Sequence, residues 1–113
     1  MAVGQLNQNW IAQRTLLAMD ADGREFALTF GVGAPYETGT GECACAVLLD
    51  GLERAPHVLF GVDTWQALQL GVQFAIHMLQ GFVAQGGQLL WPQEREPMAI
   101  SELIPAMLPP LAR

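Results

Sequence analysis

The sequence predicts an α+β fold: a four- to five-stranded, mainly antiparallel sheet with one long helix packed on one face and an apolar, Pro-rich C-terminal tail. Three observations carry this expectation. Residues 63–85 form one long stretch with helix signals at both ends, and no residue from Thr64 to Gln93 carries a formal charge. From Glu25 to Val32, bulky apolar residues alternate with small or polar ones, the period of a strand with one buried face. Asp22-Gly23 and Asp50-Gly51 punctuate the N-terminal half with turn chemistry that suits the twist of hairpins.

The strands follow in order. Residues 1–12 are weakly patterned and are expected to form a loose N-terminus or an early strand, with Trp10 and Ile11 tucked against the core. Arg14–Met19 is the first strand, Asp20–Arg24 a turn, and Glu25–Val32 the second strand, with Phe26, Leu28, Phe30 and Val32 on one face. Residues 33–41 read as a Gly-rich loop. They lack the Gly-Lys-Ser/Thr of a phosphate loop and lead into a strand rather than a helix, so phosphate binding is not expected there. Glu42–Asp50 is the third strand, with Cys43, Cys45, Val47 and Leu49 on the core face. Pro56–Val62 is the fourth, with Val58, Phe60 and Val62 on one side and His57, Leu59 and Gly61 on the other. The β-β-β-β-α order then lays the helix across the sheet.

In the helix, Asp63 is the expected N-cap, Gln66 completes a capping-box pattern, and Val62 can staple onto Ala67. Gly86-Gly87 supplies the stop. The helix is about 22 residues and about 33 Å long. Its wheel carries two apolar faces. Face one is Trp65, Leu68, Val72, Ala75, Ile76, Leu79, Phe82 and Val83, expected on the sheet; face two is Ala67, Leu70, Gly71, Phe74, Met78 and Gly81. Gln66, Gln69, Gln73, His77 and Gln80 fill a narrow polar stripe. Face two needs a cover, either the tail or another protein. Leu70, Phe74 and Met78, with Ile104, Met107 and Leu108 of the tail, are the candidate interface. Charging Phe74 is expected to break assembly while leaving the isolated fold intact. After the helix, residues 88–91 form a short strand, and residues 92–113 a charged turn followed by the apolar tail.

Composition bounds function. At 113 residues, 51% hydrophobic and 14% charged, the chain suits one domain spanning residues 1–113, with one core. Its five basic residues are all Arg and the net charge is −6, which argues against nucleic acid as a partner, since phosphate neutralisation needs a positive patch. Five Gln and one His in the helix argue against membrane insertion, and the absence of Lys or Arg argues against an interfacial membrane helix. The N-terminal residues carry no basic and apolar leader, so a cytoplasmic setting is expected, and the small size and simplicity of the chain suggest a bacterial one.

Chemistry is sparse. Cys43 and Cys45 lie on one strand face with Cα atoms about 6.6–7 Å apart, near the upper limit for a disulfide, and read as small core hydrophobes. No spacing of Cys and His supports a metal, and no cofactor is expected. Tyr36, Glu37 and His57 are the candidate ligand-binding residues, in the space between sheet and helix with the 33–41 loop as a lid. A minor enzyme using Cys43 or His57 is a third expectation, behind a non-catalytic interaction module and a ligand-binding domain.

The run Gly61-Val-Asp-Thr-Trp-Gln-Ala-Leu-Gln-Leu-Gly, the long helix and the Gly-Gly-Gln-Leu-Leu-Trp ending resemble a family of small bacterial domains of unknown function. These have a hairpin-rich first half, a Cys-bearing strand and a Gly-x-Asp-x-x-Gln-Ala-Leu helix opening. The resemblance covers most of residues 14–91 and implies no functional residue. In fold plan and size such domains are similar to toxin-immunity proteins, which act by binding a partner. The resulting expectation is an interaction module, a homodimer or the binder of a heterologous protein.

Overall fold

The structure is a computed structural model that describes residues 9–104. Its elements are β1 (Trp10–Met19), β2 (Glu25–Gly33), β3 (Tyr36–Glu37), β4 (Cys43–Asp50), β5 (His57–Gly61), helix α1 (Thr64–Ala84), β6 (Gln88–Leu90) and a 3-10 turn at Ile100–Glu102. All strand pairings are antiparallel. β4 pairs β5 along one edge and β2 along the other, and β3 continues past the end of β2 on that second edge. Across the sheet the order is therefore β5, β4, β2 with β3, β1 and β6. α1 carries the chain from the β5 edge back to the far edge, as the predicted α+β plan requires.

Several predicted bounds shift. β1 begins at Trp10, so of the two alternatives for this stretch residues 10–12 take the early strand. A bulge between Trp10 and Ala12 interrupts its pairing with β2, and both sides of its first half lie largely in solvent, which is why alternation is faint there. The expected 33–41 loop contains β3, whose Tyr36 and Glu37 pair with Ala44 and Cys43. That pairing removes the free lid. The turn after β1 is held by Asp20, whose Oδ1 accepts from the N–H groups of Asp22 (2.9 Å) and Arg24 (3.0 Å). These bonds favour the carboxylate and hold its pKa below the usual range.

The cap predicted for α1 is present: Asp63 Oδ1 accepts from the Gln66 N–H at 2.8 Å. The reciprocal bond runs from the Val62 N–H to Gln66 Oε1 at 2.8 Å, one residue earlier than in a standard capping box. Val62 is 73% exposed and forms no staple on the buried Ala67. At the far end Gly86, with φ 99°, donates to the Val83 carbonyl from a left-handed conformation that favours glycine.

α1 lays only part of face one on the sheet: Leu68, Ala75, Ile76, Leu79 and Phe82 pack there. Its buried residues are Ala67, Gly71, Ala75 and Leu79, a seam taken from both apolar faces. Trp65, Val72 and Val83 of face one stay exposed. Small residues decide the contact, because they let the backbones approach. A Cβ on Gly71 would lie 2.9 Å from Cys45 Sγ and 3.4 Å from Val47 Cγ2. Two apolar clusters flank the seam. One gathers Val32, Cys45, Val47 and Leu49 with Leu59, Phe74 and Met78. The other gathers Leu16, Leu28, Leu79 and Leu89 with Met98, Ile100 and Leu103 of the tail. The described tail thus covers the Leu79 side of the helix. Met107 and Leu108 lie outside the described residues.

The fit at Gly71 is testable by coupling. Gly71→Ala gains about 1 kcal/mol of helix propensity but forces a methyl against the Cys45 sulfur, an overpacking typically costing about 1–3 kcal/mol. Denaturant unfolding should show Gly71→Ala destabilising in the native background and stabilising beside Cys45→Ala. Equal effects in both backgrounds would place the seam elsewhere.

Candidate functional site

The cysteines come first, because a thiol is the strongest latent nucleophile in the chain. Both are free and buried. Cys45 is packed under α1 and its thiol donates to the Gly33 carbonyl at 3.5 Å. Burial pushes its pKa up, against a smaller opposing effect of that hydrogen bond. Cys43 lies at the end of β4, and its pKa is raised by burial first and then by the Glu37 and Asp63 carboxylates. A reactive thiolate needs positive surroundings; these are apolar and acidic.

His57 lies on the helix-facing side of β5, across from Val47. Its Nε2 is 2.8 Å from Glu53 Oε1, and its ring lies 5.0 Å from that of Phe74, tilted by 51°. Glu37 shares this side of the sheet but pairs with Cys43, four residues along β4 and about 13 Å away at strand spacing. Tyr36 pairs with Ala44 and points to the opposite face. The three candidate ligand-binding residues are therefore not brought together. Among the described residues no group of three or more His, Cys, Asp or Glu is arranged to hold a metal ion.

The expected interface residues divide. Leu70, Phe74 and Ile104 line one broad hollow of about 510 Å³ with Leu59 and His77. Met78 turns into the core beside Phe74. Because Phe74 itself packs on that core and on the His57 ring, Phe74→Glu would disturb the fold as well as any assembly. α1 is also long enough, with a mean hydropathy of 1.3, to match a membrane span by those two measures alone; its Ala67–Leu79 seam is spent on the sheet.

A second apolar surface lies on the opposite side of the sheet. The sheet side away from α1 has a floor of buried Ala44 and Ala46, and register places Phe60 and Tyr36 beside Ala44 and Val58 beside Ala46. Phe60 is 52%, Tyr36 49% and Val58 42% exposed. Alternation shows that Val58 and Phe60 share a side; the position of α1 shows that this side faces away from the helix. β5 is also a sheet edge, since its only pairing among the described residues is with β4.

No family model, curated protein or solved structure matches the chain.

The thiol environment makes a prediction. At pH 8 a disulfide-exchange reagent should modify Cys43 and Cys45 far more slowly in the folded protein than in denaturant, with Cys43 the faster of the two. Reaction of either folded thiol at the rate of the denatured chain would contradict its burial.

Proposed function

We propose that this chain is a non-catalytic protein-interaction module that pairs with a second copy of itself along the outer edge of β5. The observation that carries the reading is the contrast between guarded and unguarded edges. An open strand edge invites pairing with another chain, and folded proteins usually blunt it with charge, proline, a bulge or a cover. The outer edge of β6 is covered by the Glu96–Met98 segment, through Trp91 N–H to Glu96 O at 2.9 Å and Met98 N–H to Leu89 O at 2.9 Å. The first half of β1, which β6 does not reach, carries the bulge at Ile11 and the charged Arg14. β5, His-Val-Leu-Phe-Gly, carries no charge, proline or bulge.

β5 also complements itself. A two-fold axis at Leu59 sets Val58 opposite Phe60 of the second copy, twice, on the open face. Such β-branched and aromatic cross-strand pairs are favourable. On the helix side His57 falls opposite the second copy's Gly61, where the Ala67 backbone of α1 already fills the position of a Cβ. The hollow formed by Leu59, Leu70 and Phe74 continues the same edge, so part of the interface expected from the helix belongs to this one. An accessory or immunity role is the concrete biological form of the reading, because it asks for a surface and no chemistry.

Sedimentation over a concentration series tests the reading. The native chain should form a dimer. Phe60→Glu, at a half-exposed position, should give a folded monomer with the dissociation constant raised ~100-fold or more, since two Phe side chains are lost from each dimer at a few kcal/mol together. A native monomer at every concentration, or a dimer indifferent to Phe60→Glu, would refute pairing through β5.

A further inference from the structure

Arg14 breaks a rule of the sheet. Ala12, Leu16 and Ala18 share its side of β1, and Leu16 and Ala18 are buried in the core. Register sets Arg14 directly opposite Phe30, another core-facing residue. A cation has thus been placed on the helix-facing side of the sheet with apolar neighbours along the strand and across it. Among the described residues it makes no ion pair and no side-chain hydrogen bond. Arg14 is exposed, and its guanidinium rests 5.6 Å from the centroid of the Trp91 ring, a contact that orients the group and leaves its N–H donors open to solvent or a ligand.

Beside Arg14 the helix fails to cover the sheet. α1 is centred on β4 by its small-residue seam, and the first half of β1 lies beyond its reach. A hollow of about 270 Å³ opens there. Its walls are Phe30 and Val32 of β2, Val72 and Ile76 of α1, Ala12 of β1 and Leu103 of the tail. Ligand sites combine such apolar walls with a few polar groups that fix orientation. The hollow falls just below the ~300–1,000 Å³ typical of sites for drug-sized ligands, so its ligand is small.

We propose that this hollow is a binding site for a small amphiphilic carboxylate of medium-chain size. The apolar chain lies against Phe30, Val32, Val72 and Ile76, and the carboxylate takes two parallel hydrogen bonds from the Arg14 guanidinium. The fork geometry of Arg matches a carboxylate. A single cation in a chain of net charge −6 under-neutralises a dianionic phosphate, which favours a monoanionic head group. The site lies on the β1 side of α1, away from the β5 strand itself, and shares Val72 and Ile76 with the broader hollow beside Leu59. A rival role for Arg14 is that of an inward charge guarding the open half of β1, and the two roles separate by experiment.

Octanoate and 1-octanol serve as probes, titrated by calorimetry and by methyl NMR of Val72, Ile76 and Leu103. The native chain should bind octanoate saturably, one per chain, with shifts at those methyls, and should bind 1-octanol at least about tenfold more weakly. Arg14→Gln, checked for folding by circular dichroism, should reduce octanoate affinity to the level of octanol. Ala12→Phe, at an exposed position facing the hollow, should abolish both by filling the space. Absence of saturable octanoate binding by the native chain would overturn the proposal, as would affinity unchanged by either substitution. Self-association of Arg14→Gln without any octanoate binding by the native chain would assign Arg14 to edge protection instead.

Discussion

The close approach of α1 to β4 at Gly71 is the constraint on which the rest of the structure depends. With no Cβ at that position, and with Ala67 and Ala75 one turn to either side, the helix sits directly on Cys45 and Val47. Bulkier residues must then lie on the flanks. Phe74 and Met78 fall toward the β5 side of the core, and Ile76 and Phe82 toward the cluster closed by Met98, Ile100 and Leu103. The core is split into two clusters for this reason. Among the described residues, this seating leaves the far side of the sheet, the β5 edge and the first half of β1 without a covering helix.

Much of the fold was legible because its signals are local. Asp63, Gln66 and Gly86 fix the ends of α1 through backbone hydrogen bonds that any sequence of this kind would make. The alternation in β2 and β4 named their core faces correctly, since a slip of one residue would turn every buried side chain outward. What misled was the helical wheel. It ranks residues by apolarity and set Gly71 and Ala67 apart on face two, whereas the contact went to a seam of mostly small residues from both faces. β3 was hidden because two residues after a proline carry no period, and their strand state comes only from the edge of β4 that they reach.

The candidate sites were less legible, for a related reason. Tyr36, Glu37 and His57 could be named by residue type, but their mutual positions depend on pairing register, and register sends Tyr36 to one face and Glu37 and His57 to distant points of the other. Strand alternation alone would have parted Tyr36 from Glu37. Arg14 carried a readable signal that was easy to pass over: it has the parity of Leu16 and Ala18, so it had to face the core side once those two did. Val58 and Phe60 could be assigned a common side, but not the exposed one, until the helix was in place.

Among the described residues, exposed apolar side chains stand out more than reactive groups. Both thiols are shut under the helix or beside acids, and His57 is engaged by Glu53. What distinguishes the chain is an edge strand without the usual guards, and the central claim is that a second copy occupies it. Amide hydrogen exchange across β5, measured at a dilute and a concentrated sample of the same protein, tests that most directly. The N–H groups of residues 57–61 that point away from β4 should exchange quickly when dilute and become protected when concentrated, while those bonded to β4 stay slow at both. Fast exchange of the outward amides in a sample that is demonstrably dimeric would contradict pairing through this strand.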